Sequence, residues 1–256
     1  MINSLRELQA LTQEQISKLS DYGQYESSLL LNEAKIKLAL CKINGFGTPK
    51  SPLEGIDLLF DVVLGGREFS VWTLESLSKH KFLELEEQFF EYYFEKRENK
   101  DPRILTIIGI CYAFGIGIDK NPSQTFRFYT LAAEQGYAAA QYFLGLCYIN
   151  GSGTKKDPAT AVKYFQLAVE QCDPNGQCAL AACYNFGIGG VQSSTEESVL
   201  LYKRSAEGGN ATAQYTLGVW YERGVSVLAD RTEALKWYNE AKQQGSIEAA
   251  QALQKL

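Results

Sequence analysis

One spacing constrains this chain more than any other feature. A small residue inside an apolar stretch recurs at Gly109, Gly145, Ala181 and Gly218, at intervals of 36, 36 and 37 residues. Three residues later each copy carries a tyrosine: Tyr112, Tyr148, Tyr184 and Tyr221. A glycine pair follows at Gly115/Gly117, Gly151/Gly153 and Gly187/Gly189, and the last copy keeps Gly224 with Ser226 in the second place. A period of this length marks an array of like units, each unable to bury its apolar side without a neighbour.

Residues 137–172 form the best copy. Leu144, Gly145 and Tyr148 mark a first helical pattern, and the glycine pair ends it. Ala161, Tyr164 and Ala168 share one side of a second, at helical spacings. Thr125-Phe128-Ala132 and Ala234-Trp237-Ala241 repeat that side; the third copy is read as reaching Tyr202 and Ala206 after two inserted residues within 191–195. Polar-proline pairs at Ser51-Pro52, Asp101-Pro102, Asn121-Pro122, Asp157-Pro158 and Asp173-Pro174 supply caps with proline at the first helical position. The fold class expected is all-α, built of antiparallel helix pairs. Glycine inside a helix costs about 1 kcal/mol relative to alanine. The expected compensation at Gly145 is close approach of a neighbouring helix.

The organisation follows from the same marks. Residues 1–25 read as an N-terminal capping helix and 26–66 as a first repeat with Lys42 in the tyrosine place. Residues 67–100 read as a degenerate repeat of two helices joined near 79–81, 101–245 as four repeats, and 246–256 as a C-terminal capping helix. Aromatic density peaks at Phe82, Phe89, Phe90, Tyr92, Tyr93 and Phe94. Either these fill the core of the degenerate repeat, or Tyr92, Tyr93 and Phe94 leave a patch for a partner or a second copy. Glu84, Glu86, Glu87, Glu91 and Glu95 read as a solvated face.

Composition narrows the function. A net charge of −5 without a basic stripe argues against nucleic acid. No apolar run approaches the ~18 residues of a membrane span. The N-terminus has no signal-peptide core, so a cytoplasmic protein is expected, or one delivered by a route without a cleavable signal. Cys41, Cys111, Cys147 and Cys183 share one repeat position and read as small core residues. Cys172 and Cys178 flank a turn, and their spacing allows a disulfide, although cytosolic thiols usually stay reduced. No spacing suits zinc, and no cofactor or metal is expected.

These marks resemble the Sel-one-like repeat family, short relatives of tetratricopeptide repeats. LGLCYINGSG…DPATAVKYFQLA and LGVWYERG…DRTEALKWYNEAKQQG carry the resemblance, which is clear over 101–250 and weaker over 26–66. It implies a right-handed superhelical solenoid whose members act mostly as adaptors. Some bacterial members bridge adjacent helices by disulfides, but the cysteines here occupy other repeat positions.

Stacked pairs give a concave surface lined by the first helix of each pair. By analogy with tetratricopeptide repeats, the lining positions are Thr106, Ile110 and Ala113; Tyr142, Leu146, Ile149 and Asn150; Cys178, Ala182 and Asn185; and Tyr215, Val219 and Glu222. Such a set suits a peptide or protein segment, with tyrosines as rigid anchors and amides for the backbone. The other reading of these positions is packing between repeats. No catalytic set is evident, so a non-enzymatic adaptor is expected. Two alternatives stand beside it. A serine hydrolase could act through Ser76 or Ser152, since Ser76…Lys79 and Ser152…Lys155 have the acyl-enzyme spacing of penicillin-interacting proteins. A structural module could instead pair as a homodimer through 67–100. His80 reads as a surface residue.

Overall fold

The computed structural model describes residues 83–256, with Glu54, Gly55 and Leu58. The capping helix at 1–25, most of the first repeat, residues 67–82, Cys41, Phe82, Ser76, Lys79 and His80 lie outside the described residues. Over the rest the protein is all-helical: α1 (Leu83–Glu95), α2 (Pro102–Phe114), α3 (Pro122–Ala133), α4 (Ala138–Asn150), α5 (Pro158–Glu170), α6 (Pro174–Phe186), α7 (Thr195–Glu207), α8 (Ala211–Arg223), α9 (Arg231–Gln243) and α10 (Ile247–Leu253).

The helices alternate in role. Each first helix (α2, α4, α6, α8) packs on its own second helix (α3, α5, α7, α9), and each second helix packs on the next first helix. First helices also touch one another, α2 with α4, α4 with α6 and α8 with α10, whereas second helices make no comparable contact among themselves.

Chemistry at the helix ends explains the boundaries. Asp101, Asn121, Asp157 and Asp173 each accept a hydrogen bond from a backbone N–H of the first turn, with proline following. Gly115, Gly151, Gly187 and Gly224 end the first helices in the left-handed region, their N–H groups donating to Cys111, Cys147, Cys183 and Trp220 carbonyls. One backbone bond then closes every loop: the N-cap N–H of the second helix donates to the tyrosine carbonyl. The pairs are Asn121 to Tyr112, Asp157 to Tyr148, Ser194 to Tyr184 and Asp230 to Tyr221, at 2.9 to 3.0 Å.

That bond fixes the register and corrects the third copy. Its loop is one residue longer than the others, not two, because Ser194 follows Tyr184 by ten residues where the other pairs are nine apart. Ser198, Leu201 and Ser205 hold the places of Ala161, Tyr164 and Ala168. Ser198 donates to the Ala181 carbonyl and Ser205 to the Pro174 carbonyl, so both hydroxyls are satisfied in the core.

The mid-helix glycines receive rings. A Cβ on Gly145 would stand 2.4 Å from Phe165, on Gly109 2.5 Å from Tyr129, and on Gly218 2.5 Å from Tyr238. Each ring comes from the second helix of the same repeat and is buried. The glycine pair has a second task between repeats. Gly153, at φ +70°, lies against Pro122, and Gly189, at φ +74°, lies against Pro158, where a Cβ would fall within 2.4 Å of the carbonyl oxygen. Cys111, Cys147 and Cys183 are buried, and burial pushes the Cys147 and Cys183 thiols up to about 11, so they stay protonated core residues.

No disulfide joins Cys172 and Cys178. Cys172 is exposed at φ 59°, a left-handed linker place that Gly136, Gly209 and Gly245 take in other copies. Asp173 beside it is buried, and desolvation outweighs its bonds to the helix N-terminus, raising its carboxyl to about 6. In the aromatic stretch, Phe89, Phe90 and Tyr93 are buried, and Phe94 stacks on Phe90 at 5.2 Å. The patch imagined from Tyr92, Tyr93 and Phe94 is therefore not a free surface; Tyr92 alone of the three is exposed. Glu87, Glu91 and Glu95 do face solvent.

Two outcomes follow. Gly145→Ala gains helix propensity but must displace the Phe165 ring, so urea denaturation is expected to show a net loss of about 1–3 kcal/mol. A gain would show that the ring moves freely. The folded chain holds the Asp173 proton more tightly than the unfolded chain, so this group's contribution is full below pH ~4 and is lost as pH rises to about 6. Asp173→Asn keeps a cap and cannot ionise. It is expected to be more stable than the parent by on the order of 2 kcal/mol at about pH 7.5, with the difference vanishing near pH ~4 in thermal melts.

Candidate groove on the first helices

The same positions recur on each first helix: the fifth, ninth and twelfth residues after the N-cap. On α4 these are Tyr142, Leu146 and Ile149; on α6 Cys178, Ala182 and Asn185; on α8 Tyr215, Val219 and Glu222. All are half-buried except Glu222, which is exposed, as is Asn150 beside Ile149. The residues between them are mostly fully buried, so each helix presents these positions as its partly exposed stripe. The row narrows in bulk at α6, whose Cys178 and Ala182 lie between two tyrosines.

Copy one departs from this. Thr106 and Ile110 are 0% exposed. The Thr106 hydroxyl donates to the Pro102 carbonyl at 2.6 Å, and Ile110 belongs to the core cluster with Phe89, Phe90 and Tyr93. Both positions are therefore corrected from lining to core. A β-branched side chain at each suits that burial.

The half-buried tyrosines are held by rings beneath them. Tyr142 lies 5.1 Å from Phe143 and 6.2 Å from Phe165, and Tyr215 lies 5.8 Å from Tyr238. Thus the ring that fills the glycine notch also supports the groove residue above it. The Tyr238 hydroxyl goes further and donates to the Glu222 carboxylate at 2.5 Å. Desolvation, the Glu222 bond and its charge raise the phenol's pKa well above its ordinary value. In copy two the same two places hold Phe165 and Ile149, an apolar pair. Asn185 on α6 accepts at its carbonyl from the Ser193 hydroxyl.

A buried amide series underlies the row and escaped the sequence reading. Gln141, Gln177 and Gln214 each stand one residue before a row position and are buried. Gln171 donates to Gln141 at 2.8 Å, Gln244 donates to Gln214 at 2.6 Å, and Gln214 donates to the Ala206 carbonyl at 3.0 Å. Asn210 donates to Asn175 at 2.8 Å across the junction of α6 and α8. The signal was available: a glutamine four residues after three successive N-caps, in phase with the repeat.

The alternative chemistry gains no support here. Ser152 sits in the glycine turn, its N–H donating to the Cys147 carbonyl, and Lys155 is exposed. Among the described residues no group of three or more His, Cys, Asp or Glu could hold a metal ion, and no helix is long and apolar enough to cross a membrane.

Comparison with known proteins agrees with this architecture. The Sel1 repeat pattern matches residues 32–59, 107–137, 138–171, 174–210 and 211–246. A Sel1 repeat protein from Oxalobacter formigenes is 24% identical, with TM-score 0.60, over 96% of this chain and 97% of that one. An immunity protein from Pseudomonas aeruginosa is 19% identical, with TM-score 0.50, over 64% of this chain and 60% of that one. At these identities the likeness speaks to the fold. No curated protein matches the chain.

Tyr238→Phe and Glu222→Ala should be coupled through the hydroxyl bond. A double-mutant cycle in urea is expected to give an interaction of about 1–2 kcal/mol; additive losses would mean that the bond contributes nothing in solution.

Proposed function

Because the chain belongs to the Sel1 repeat family, whose members are generally protein-interaction scaffolds, we propose that it holds a peptide or protein segment along the row on α4, α6 and α8. The fold is typically that of a scaffold rather than an enzyme. One observation carries the finer reading: half-buried side chains recur at the same positions of α4, α6 and α8, and a buried ring lies beside each of the two tyrosines among them.

The chemistry of the row suits a segment of mixed character. Tyr142 and Tyr215 offer rigid area at small entropic cost, the usual make-up of an anchor. Leu146, Ile149 and Val219 supply apolar contact. Asn150 and Asn185 can bond a partner's backbone, and Glu222 adds one acid. The low bulk at Cys178 and Ala182 leaves room for a large partner side chain between the tyrosines.

Tyr142→Ala with Tyr215→Ala, in a chain whose circular dichroism is unchanged, tests this against a displayed peptide library. Peptides enriched by the parent chain are expected to lose at least about tenfold in affinity, since each anchor truncation costs 1 kcal/mol or more. Equal affinity would remove the row as the binding surface.

A further inference from the structure

One end of the row differs in chemistry from the other. Among the row positions named on α4, α6 and α8, Glu222 is the only charged side chain. It is exposed, and the Tyr238 hydroxyl donates to its Oε2 at 2.5 Å. Tyr238 itself is 0% exposed, its ring against Gly218. The Tyr215 ring lies 5.8 Å from the Tyr238 ring, and Tyr215 and Val219 both pack on the cluster that holds Tyr238. The three row residues of α8 are thus held on or beside one buried tyrosine.

The carboxylate has an acceptor to spare. The bond from Tyr238 occupies one oxygen, and no lysine or arginine among the described residues pairs with it. A carboxylate already held by a buried hydroxyl loses less freedom when it meets a cation. Val219, half-buried and three residues earlier on α8, gives an apolar surface beside the acid, since that spacing sets neighbours on one helix face. At the place of Glu222 the other first helices hold Ala113, Ile149 and Asn185, none of them charged. The α4 end of the row is apolar, with Tyr142, Leu146 and Ile149. The acid therefore stands at one end alone, and only there does a buried tyrosine orient it.

With a segment bound along the row, the premise on which this site rests, we propose that the α8 end receives a lysine or arginine of that segment. Its stem lies along Val219 and its charged head meets Glu222, while the segment's apolar residues lie toward α4. Long basic side chains lay an apolar stem on apolar surface and keep the charge in water, which this edge permits. An exposed pair of this kind adds only a few-fold to affinity. It also rejects an acidic residue at the same place, so Glu222 sets the direction in which the segment lies.

Peptides enriched by the full parent chain from a displayed library are resynthesised with each Lys or Arg exchanged for glutamine, and binding is read by fluorescence anisotropy. One such exchange is expected to weaken binding to the parent about fivefold and to leave binding to Glu222→Gln unchanged, because that variant still accepts from Tyr238 but carries no charge. Glu222→Lys should reverse the preference and take the same peptide with glutamate at that place more tightly than with lysine. Tyr142→Ala, at the other end of the row, should weaken both peptides alike. Enriched peptides without Lys or Arg, or an exchange that costs the same against the parent and Glu222→Gln, overturn the basic site; the groove itself still stands if Tyr142→Ala with Tyr215→Ala loses affinity. Peptides indifferent to that double variant, or no enrichment at all, overturn both.

Discussion

An aromatic ring seated on a glycine is the contact on which the rest of this structure depends. Phe165 on Gly145, Tyr129 on Gly109 and Tyr238 on Gly218 set the distance between the two helices of a repeat. Each glycine forfeits about 1 kcal/mol of helix propensity, and burial of a large ring offsets that loss. The third copy reaches a similar pairing with Ala181, where Ser198 bonds the Ala181 carbonyl and Tyr202 turns its edge to Trp220 at 5.1 Å. The same rings support Tyr142 and Tyr215 from below, so the core contact and the groove surface are two sides of one arrangement.

Order along the array rests on different interactions. Within a repeat, the bond from the N-cap to the tyrosine carbonyl sets the loop. Between repeats, Gly153 and Gly189 admit the start of the preceding second helix, and buried amides join successive units at Asn175 and Asn210. The glycine contact recurs at two junctions, with Ser226 in that place in the last copy, and the asparagine pair joins one, all between neighbouring units as expected for a quasi-one-dimensional array. What varies is what the frame does not need: the row residues, the exposed charges and the loop of the third copy.

The helix pairs, their caps and the packing role of Gly145 were legible because each leaves a local mark: a period, a polar-proline pair, a glycine in an apolar run. The third copy was misregistered because its second helix replaces Ala161, Tyr164 and Ala168 by Ser198, Leu201 and Ser205, which weakens the apolar pattern while the hydroxyls find buried carbonyls. Thr106 and Ile110 were placed in the groove by position alone. Both are fully buried, Ile110 within the cluster that also holds Phe89, Phe90 and Tyr93 of α1, a unit whose repeat pattern is broken. The Tyr238–Glu222 bond likewise joins residues from separate helices, and only packing brings them together.

Rings seated in the glycine notches should hold the array together as one cooperative body. Native-state amide hydrogen exchange measures this directly. The amides of Leu144, Gly145 and Cys147 are predicted to exchange only through global unfolding, with an opening free energy within about 1 kcal/mol of that from denaturation. Exchange of these amides through a local opening several kcal/mol cheaper would contradict it.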